Sequence, residues 1–473
     1  MTAQTILPAN SAVSGGYEVA NSVRMNKGSS DSLSKALSAG SQRKATYSFW
    51  IKFCDISASE TSIYALTQWT DANNNFLVRF SDSGNLDLEI LTAGGYAGRK
   101  VSNRKFRDFS AWYNFVIIVD TTDGTAADRL KIFVNGVRET SFSASTDPSS
   151  NADLKMNVNN QTLYIGQTNG GAYIDAYFAE VVWLDGTAAA ATDFGEFDED
   201  SGIWKPIDVS GLTAGTNGFY LDFEASGNLG NDVFGGTDLT ENNIAAADQS
   251  TDTCTNNFCT MNRLGSGAVA FSEGNLQVTK AGNGFLNAIA GIGASSGKFY
   301  AEAKAISIGS VTYGSYIGFI NLDVANKQNT TGDIGDSPIG SAGISSGGGY
   351  IYYNGTQFTG STTATTNNDI VNLAMDLDNG RLYWGINGTY LNSGDPTSGA
   401  TGTGGMPIAN IVAGGTYTFA VSLRNGANYS WNFGSPNHTI SSGNTDGAGF
   451  GNFEYAPPSG YFALCTKNLA EYG

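Results

Sequence analysis

Residues 112–136 read WYNFVIIVDTTDGTAADRLKIFVNG, and residues 370–388 read IVNLAMDLDNGRLYWGING. Each is an apolar run that closes on an aspartate, Asp120 or Asp376, and is followed by the same R-L-x4-N-G pattern. Asn-Gly between β-rich runs supplies the positive backbone dihedrals of a type I′ turn, so each stretch is predicted to be a tight hairpin. The alternation also keeps phase. Leu130, Ile132 and Val134 correspond to Leu382, Trp384 and Ile386, while Arg129, Lys131 and Phe133 share the opposite face with Arg381, Tyr383 and Gly385. A repeat that preserves the buried phase points to a repeated fold, not to a repeated active site.

Working outward, period-two alternation recurs in ATYSFWIKF (45–53), NFLVRFSDSGNLDLEI (75–90), TLYIGQ (162–167), AYFAEVVWLDG (176–186), GKFYAEAKAIS (297–307), YIGFINL (316–322), YTFAVSL (417–423) and YSWNFG (429–434). Only DSLSKALSAG (31–40) and ATDFGEFDEDSG (191–202) have room for a helical turn or two. Residues 226–262 are polar, rich in Gly and Asn and without alternation, which reads as an irregular connector. The expected fold class is all-β: two jelly-roll β-sandwich domains joined by that connector. The layout is a terminal segment (1–16), a sandwich (17–225), the connector (226–262), a second sandwich (263–435) and a weakly structured tail (436–473). Few contacts are expected to tie the halves together.

The composition sets limits. A chain of 473 residues exceeds one ordinary core. Its 61 Gly and 12% aromatics against nine Pro suit short strands and tight turns. Lys and Arg number 25 against 43 Asp and Glu, a net charge of -18 with no basic cluster, which argues against nucleic acid as a partner. The N-terminal stretch MTAQTILPANSAVSGG lacks the basic and apolar regions of a signal peptide. Nor does any stretch reach the length of a membrane-spanning helix. Cys54 and Cys465 sit in strand-like apolar contexts and read as buried packing. Cys254 and Cys259, in TDTCTNNFCTMN, are spaced so that either a small disulfide loop or two separate thiols is open.

The same residues carry a resemblance. ATYSFWIKF, AWYNFVIIVD with RLKIFVNG, and YIGQTNGGAYIDAYFAEVVWLDG resemble a laminin-G-like, concanavalin-A-type domain. GKFYAEAKA, YIGFI, GGYIYYNG, DIVNLAMDLDNGRLYWGING and YSWNFG are similar to a SPRY domain. Together these cover residues 17 to 435. FGEFDEDSGIWKPIDVSGLTAGTNGFYLDFEASGNLGND, TDTCTNNFCTMN and PPSGYFALCTKNLAE look like stretches of structural proteins of tailed bacteriophages. That resemblance implies a virion protein made in the host cytoplasm, on a tail fibre or receptor-binding appendage, or as a capsid decoration or head fibre. Its partners would be other virion proteins and a host-surface glycan. Fibre proteins are usually symmetric oligomers, with a trimer the expectation here.

Catalytic chemistry finds little purchase. Hydrolysis of a glycan needs two positioned carboxylates, and the nearest set, Glu196, Asp198 and Asp200 in EFDED, reads as a solvated turn. The single His438 lies in a Gly-Ser-Asn tail, so no His-based triad or His-rich metal site can be assembled. No cofactor is expected. The laminin-G-like resemblance implies that a loop edge can hold calcium, for which Asp120, Asp123 and Asp128 would be the nearest carboxylates, but turn capping explains them as well. Recognition remains, because aromatic faces stack on the apolar side of sugars while amides and carboxylates bind hydroxyls. The candidate residues are Trp69, Tyr96, Asn169, Tyr173, Asp175, Tyr313, Tyr352, Tyr353 and Gln357, all read as loop positions at the sandwich ends.

Overall fold

The computed structural model describes residues 16–56, 63–265, 269–309, 314–324, 332–336, 340–358 and 363–473. The chain divides into two compact bodies between Asn256 and Asn257. Both are nearly all β.

Among the described residues the first body holds two eight-stranded sheets. In one, Lys44–Phe53 lies between Trp112–Asp120 and Ala176–Asp185, with Leu130–Val134 beyond Trp112–Asp120. In the other, Gly95–Lys105, Asn85–Thr92, Asn74–Phe80, Ile63–Asp71, Thr162–Ile165, Ser32–Ala36 and Thr240–Asn242 follow one another. The inner faces meet in one core containing Phe49, Phe115, Phe178 and Trp183 from the first sheet and Phe76, Val78 and Leu88 from the second.

The second body has the same plan, with a nine-stranded and a six-stranded sheet among the described residues. Lys298–Ser307, Ile370–Asp376 and Arg381–Ile386 are consecutive in the larger sheet, and Tyr417–Leu423, Tyr316–Asn321 and Ser341–Ser345 in the smaller. Both Asn-Gly turns form as read from the sequence. Asn135 and Gly136 have φ of 48° and 73°, Asn387 and Gly388 of 50° and 80°, the signs a type I′ turn requires. Leu130, Ile132, Val134, Leu382, Trp384 and Ile386 are all buried.

Residues 226–256 do not form an irregular connector. Thr240–Asn242 pairs with Ser32–Ala36 and Gln249–Ser250 with Ser22–Met25, and Leu229, Leu239 and Ile244 enter the core. Residues 257–262 belong instead to the second body, where Phe258 bridges Cys465 and Met261 bridges Ala290. Alternation misses this segment because Leu229, Leu239 and Ile244 reach the core singly, without the two-residue spacing of a strand. The tail is likewise built in. Phe462–Ala463 pairs in parallel with Lys298–Ser307, and Thr466–Tyr472 is a helix. The buried carboxyl of Glu302 accepts from the backbone N–H of Glu454 at 3.0 Å and of Tyr455 at 2.8 Å, pinning the segment down.

Two smaller corrections follow from pairing. DSLSKALSAG holds no helical turn; Ser32–Ala36 is a strand because its edges are paired on both sides, which overrides the helix preference of Leu, Lys and Ala. Cys254 and Cys259 are buried as thiols in different apolar clusters, so no disulfide joins them.

Candidate functional site

In the first body, Trp69 and Tyr96 lie on strands, not on loops. Trp69 pairs with Asn75 and Thr162, and its parity sets it on the outer face of the second sheet, opposite to Leu66. Tyr96 is 49% exposed. The Arg99 guanidinium stacks 4.5 Å from its ring and donates to its hydroxyl at 2.7 Å. Arg99 is fixed by Asp87 at 3.1 Å, and Arg79 joins Asp87 and Glu89, each at 2.9 Å. This outer face thus carries a charged ladder with the exposed Tyr96 ring stacked on Arg99 at its end.

The remaining candidates of the first body divide. Asn169 is exposed at the tip of a loop closed by the Gln167–Tyr173 bridge, and Tyr173 is half-buried. Asp175 is committed to structure: it accepts from the Lys27 backbone N–H at 2.8 Å and lies 3.7 Å from the Lys27 ammonium.

The second body brings more together. Tyr313 lies outside the described residues. Tyr353 packs against the core beside Ile351, whereas Tyr352 pairs across the strands with the exposed Gln357 on the outer face. Three residues that sequence reasoning missed extend this patch into a row. The Tyr352 ring meets Tyr316 edge-on at 5.9 Å, Tyr316 meets Phe285 at 5.6 Å, and the Arg424 guanidinium lies 4.7 Å from the Phe285 ring. All are half-buried. The parity of YIGFINL was the available signal for Tyr316, since Ile317 and Phe319 point inward and Tyr316 must therefore point out.

A short crossing segment adds charge. Ile334 donates its N–H to Ser422 Oγ at 2.7 Å and Gly335 donates to Ser341 Oγ at 2.9 Å, which sets Asp333 against Tyr316. Burial, then the neighbouring charge of Asp336, raises the Asp333 carboxyl above its ordinary range. Burial and the Asp333 charge push the Tyr316 phenol up to about 12. The row therefore offers ring edges and faces, a carboxyl, a guanidinium and an amide, a set suited to binding polar molecules with apolar faces.

The acidic stretches are occupied otherwise. Glu196 and Asp198 both pair with Lys205, at 3.2 and 3.4 Å, and Asp198 caps the turn at Ser201. Asp120 pairs with Lys44 at 3.1 Å, Asp128 with Arg138 at 2.7 Å, and Asp123 caps Thr125. Among the described residues no group of three or more His, Cys, Asp or Glu is placed to hold a metal.

Residues 27–192 match a family model. It is described as the concanavalin A-like lectin/glucanases superfamily, in its laminin G form, and the match falls within the first body. No curated protein matches the chain. Among solved structures, the SPRY domain of human HERC1 is similar at 15% identity and a TM-score of 0.28, over 36% of this chain and 96% of that one. A SAP-like pentraxin of Limulus polyphemus is similar at 15% and 0.24, over 33% and 69%. A protein of Bacteroides ovatus, provisionally described as a carbohydrate binding protein, is similar at 15% and 0.34, over 48% of this chain and 59% of that one.

Proposed function

We propose that the protein recognises host-surface glycans as a component of a tailed-bacteriophage particle, on a tail fibre or other receptor-binding appendage. The row Phe285–Tyr316–Tyr352, flanked by Asp333, Arg424 and Gln357, carries the glycan-binding part of this reading. Half-buried rings held in fixed geometry lose little entropy on binding, and the polar groups beside them match sugar hydroxyls. The lectin-type family match in the first body supports the same ligand class. The particle assignment rests on the resemblance of residues 194–232, 251–262 and 457–471 to phage structural proteins.

The test joins binding to location. Tyr316→Ala and Tyr352→Ala should each weaken binding to host cells or to a host-glycan array by about tenfold, the scale of one lost stacking contact. Normal binding by both variants at unchanged melting temperature would sink the assignment of the row. Labelling purified particles with an antibody should place the protein at the tail; label on the head would make it a capsid decoration, and absence from particles would remove the virion reading. Release of reducing ends from host polysaccharide would instead reveal a hydrolase.

A further inference from the structure

The described residues contain a cleft of about 420 Å³ in the first body. Its walls are Ser34–Ala36 on one side and the turns 214–218 and 234–238 on the other. Those turns lie beyond residue 192, where the family match ends, so the cleft is an addition to the matched domain.

At its base are two groups whose hydrogen-bonding capacity the fold leaves partly unused. Lys35 follows the parity of the core residue Leu33, so its chain runs inward, and its ammonium donates to the Gly218 carbonyl at 3.3 Å. Asp232 is 4% exposed. Its Oδ1 accepts from the backbone N–H groups of Tyr220 and Phe234, at 3.0 and 3.1 Å. Its Oδ2 is buried and has no hydrogen-bond partner among the described residues, standing 3.6 Å from the Lys35 ammonium. This ion pair is longer than a charge-assisted hydrogen bond, so it offsets only part of the cost of burying the two charges. A hydroxyl would satisfy both groups, because it accepts from an ammonium and donates to a carboxylate at once.

We infer that this cleft binds a neutral, hydroxyl-rich molecule of mono- or disaccharide size, with one hydroxyl bridging Lys35 and Asp232. The volume lies at the small end of the roughly 300–1,000 Å³ typical of small-molecule sites. Charge selects against acidic sugars, since Asp232 and Asp238 outnumber Lys35. The half-buried Phe234 ring lines the wall and offers an apolar surface to the carbon face of a sugar. The ligand class rests on the glycan-recognition reading, whereas the residues are independent of the aromatic row in the second body.

The test uses the full chain with methyl glycosides of glucose, galactose, mannose and N-acetylglucosamine, and glucuronate as the acidic control, read by saturation-transfer NMR and titration calorimetry. At least one neutral glycoside should bind and glucuronate should not. Phe234→Ala and Gly236→Ala should each weaken that binding at least fivefold. A Cβ at Gly236 would lie 2.4 Å from Asp232 Oδ2 and close the base of the cleft. Val137→Ala, at an exposed position outside both the cleft and the aromatic row, should leave it unchanged. If no neutral glycoside binds, or if binding survives both cleft variants, the inference is overturned. Loss of binding in Tyr352→Ala alone would overturn the cleft while leaving the aromatic row as the glycan site.

Discussion

Glu180 shows how one residue can set a pH response. It sits in a bulge of the strand Ala176–Asp185, where the pairing with Lys44–Phe53 shifts between Ala179 and Val182, and its φ is 48°. The bulge turns its side chain to accept from Tyr220 at 2.7 Å and Tyr17 at 3.3 Å. Burial first, then the charges of Asp222 and Glu224, raise its carboxyl from 4.5 to about 8, against the pull of the two tyrosine hydrogen bonds. Because the folded form holds the proton more tightly, this contribution to stability is complete below about pH 4.5 and is lost as pH rises through about 8. Glu180→Gln keeps the shape without the ionisation. Its melting temperature should therefore gain on the wild type steadily between pH 5 and 9, and parallel pH profiles would refute the assignment. Trp384 makes the complementary case for packing. It is 2% exposed, donates to the Ile317 carbonyl at 2.9 Å and meets Phe319 edge-on at 5.0 Å. Trp384→Ala should cost about 3–5 kcal/mol in denaturant unfolding through the cavity it leaves.

At the scale of the element, the two hairpins share more than a turn type. A Cβ at Gly136 would lie 2.2 Å from the Trp204 ring, and one at Gly388 would lie 2.5 Å from the Tyr455 ring. Each turn is thus capped by an aromatic residue from a distant part of its own body. Alanine at either position adds about 1 kcal/mol of left-handed backbone strain to about 1–3 kcal/mol of overpacking. Gly380→Ala, whose φ is 63° with open space around it, should lose only the strain. Chemical denaturation of the three variants measures the difference, and equal losses would show that the aromatic caps yield freely. The turns were legible in the sequence because Asn-Gly dictates their backbone locally. The aromatic caps were not, because Trp204 and Tyr455 arrive from segments with no periodic relation to the hairpins.

At the scale of the whole molecule, the segment 226–256 belongs to the first body by strand pairing and by core residues. A fragment of residues 16–256 should therefore unfold cooperatively as an isolated protein. A fragment ending at 225 loses Leu229, Leu239 and Ile244 from the core together with two paired strands, and should melt far lower or aggregate. Circular dichroism melts of the two fragments decide this; equal stability would restore the connector reading. Protease cleavage should likewise spare the paired residues of this segment in the intact chain.

The sequence by itself determined the all-β class, the two sandwiches, the phase of their strands and both type I′ turns. These follow from local rules, the two-residue period of a strand and the dihedrals open to Asn-Gly, which hold wherever the segment ends up. Trp69, Tyr96 and Tyr352, expected on loops, sit instead on strands, because strand pairing extends to the ends of the sheets. Only the tertiary structure decided what covers each sheet and what gathers into a site. The strand Trp112–Asp120 shows why: Val116 and Ile118 are buried on its outer face under Phe194, Val209 and Tyr220, so its apolar run is continuous and names no partner. Phe285, Tyr316, Asp333 and Arg424 meet only because three strands, or the residues at their ends, converge with a crossing segment. Lys35 and Asp232 meet because the chain after the matched domain folds back across a sheet edge. Contacts of that kind depend on long-range chain return, for which a linear pattern carries no signal.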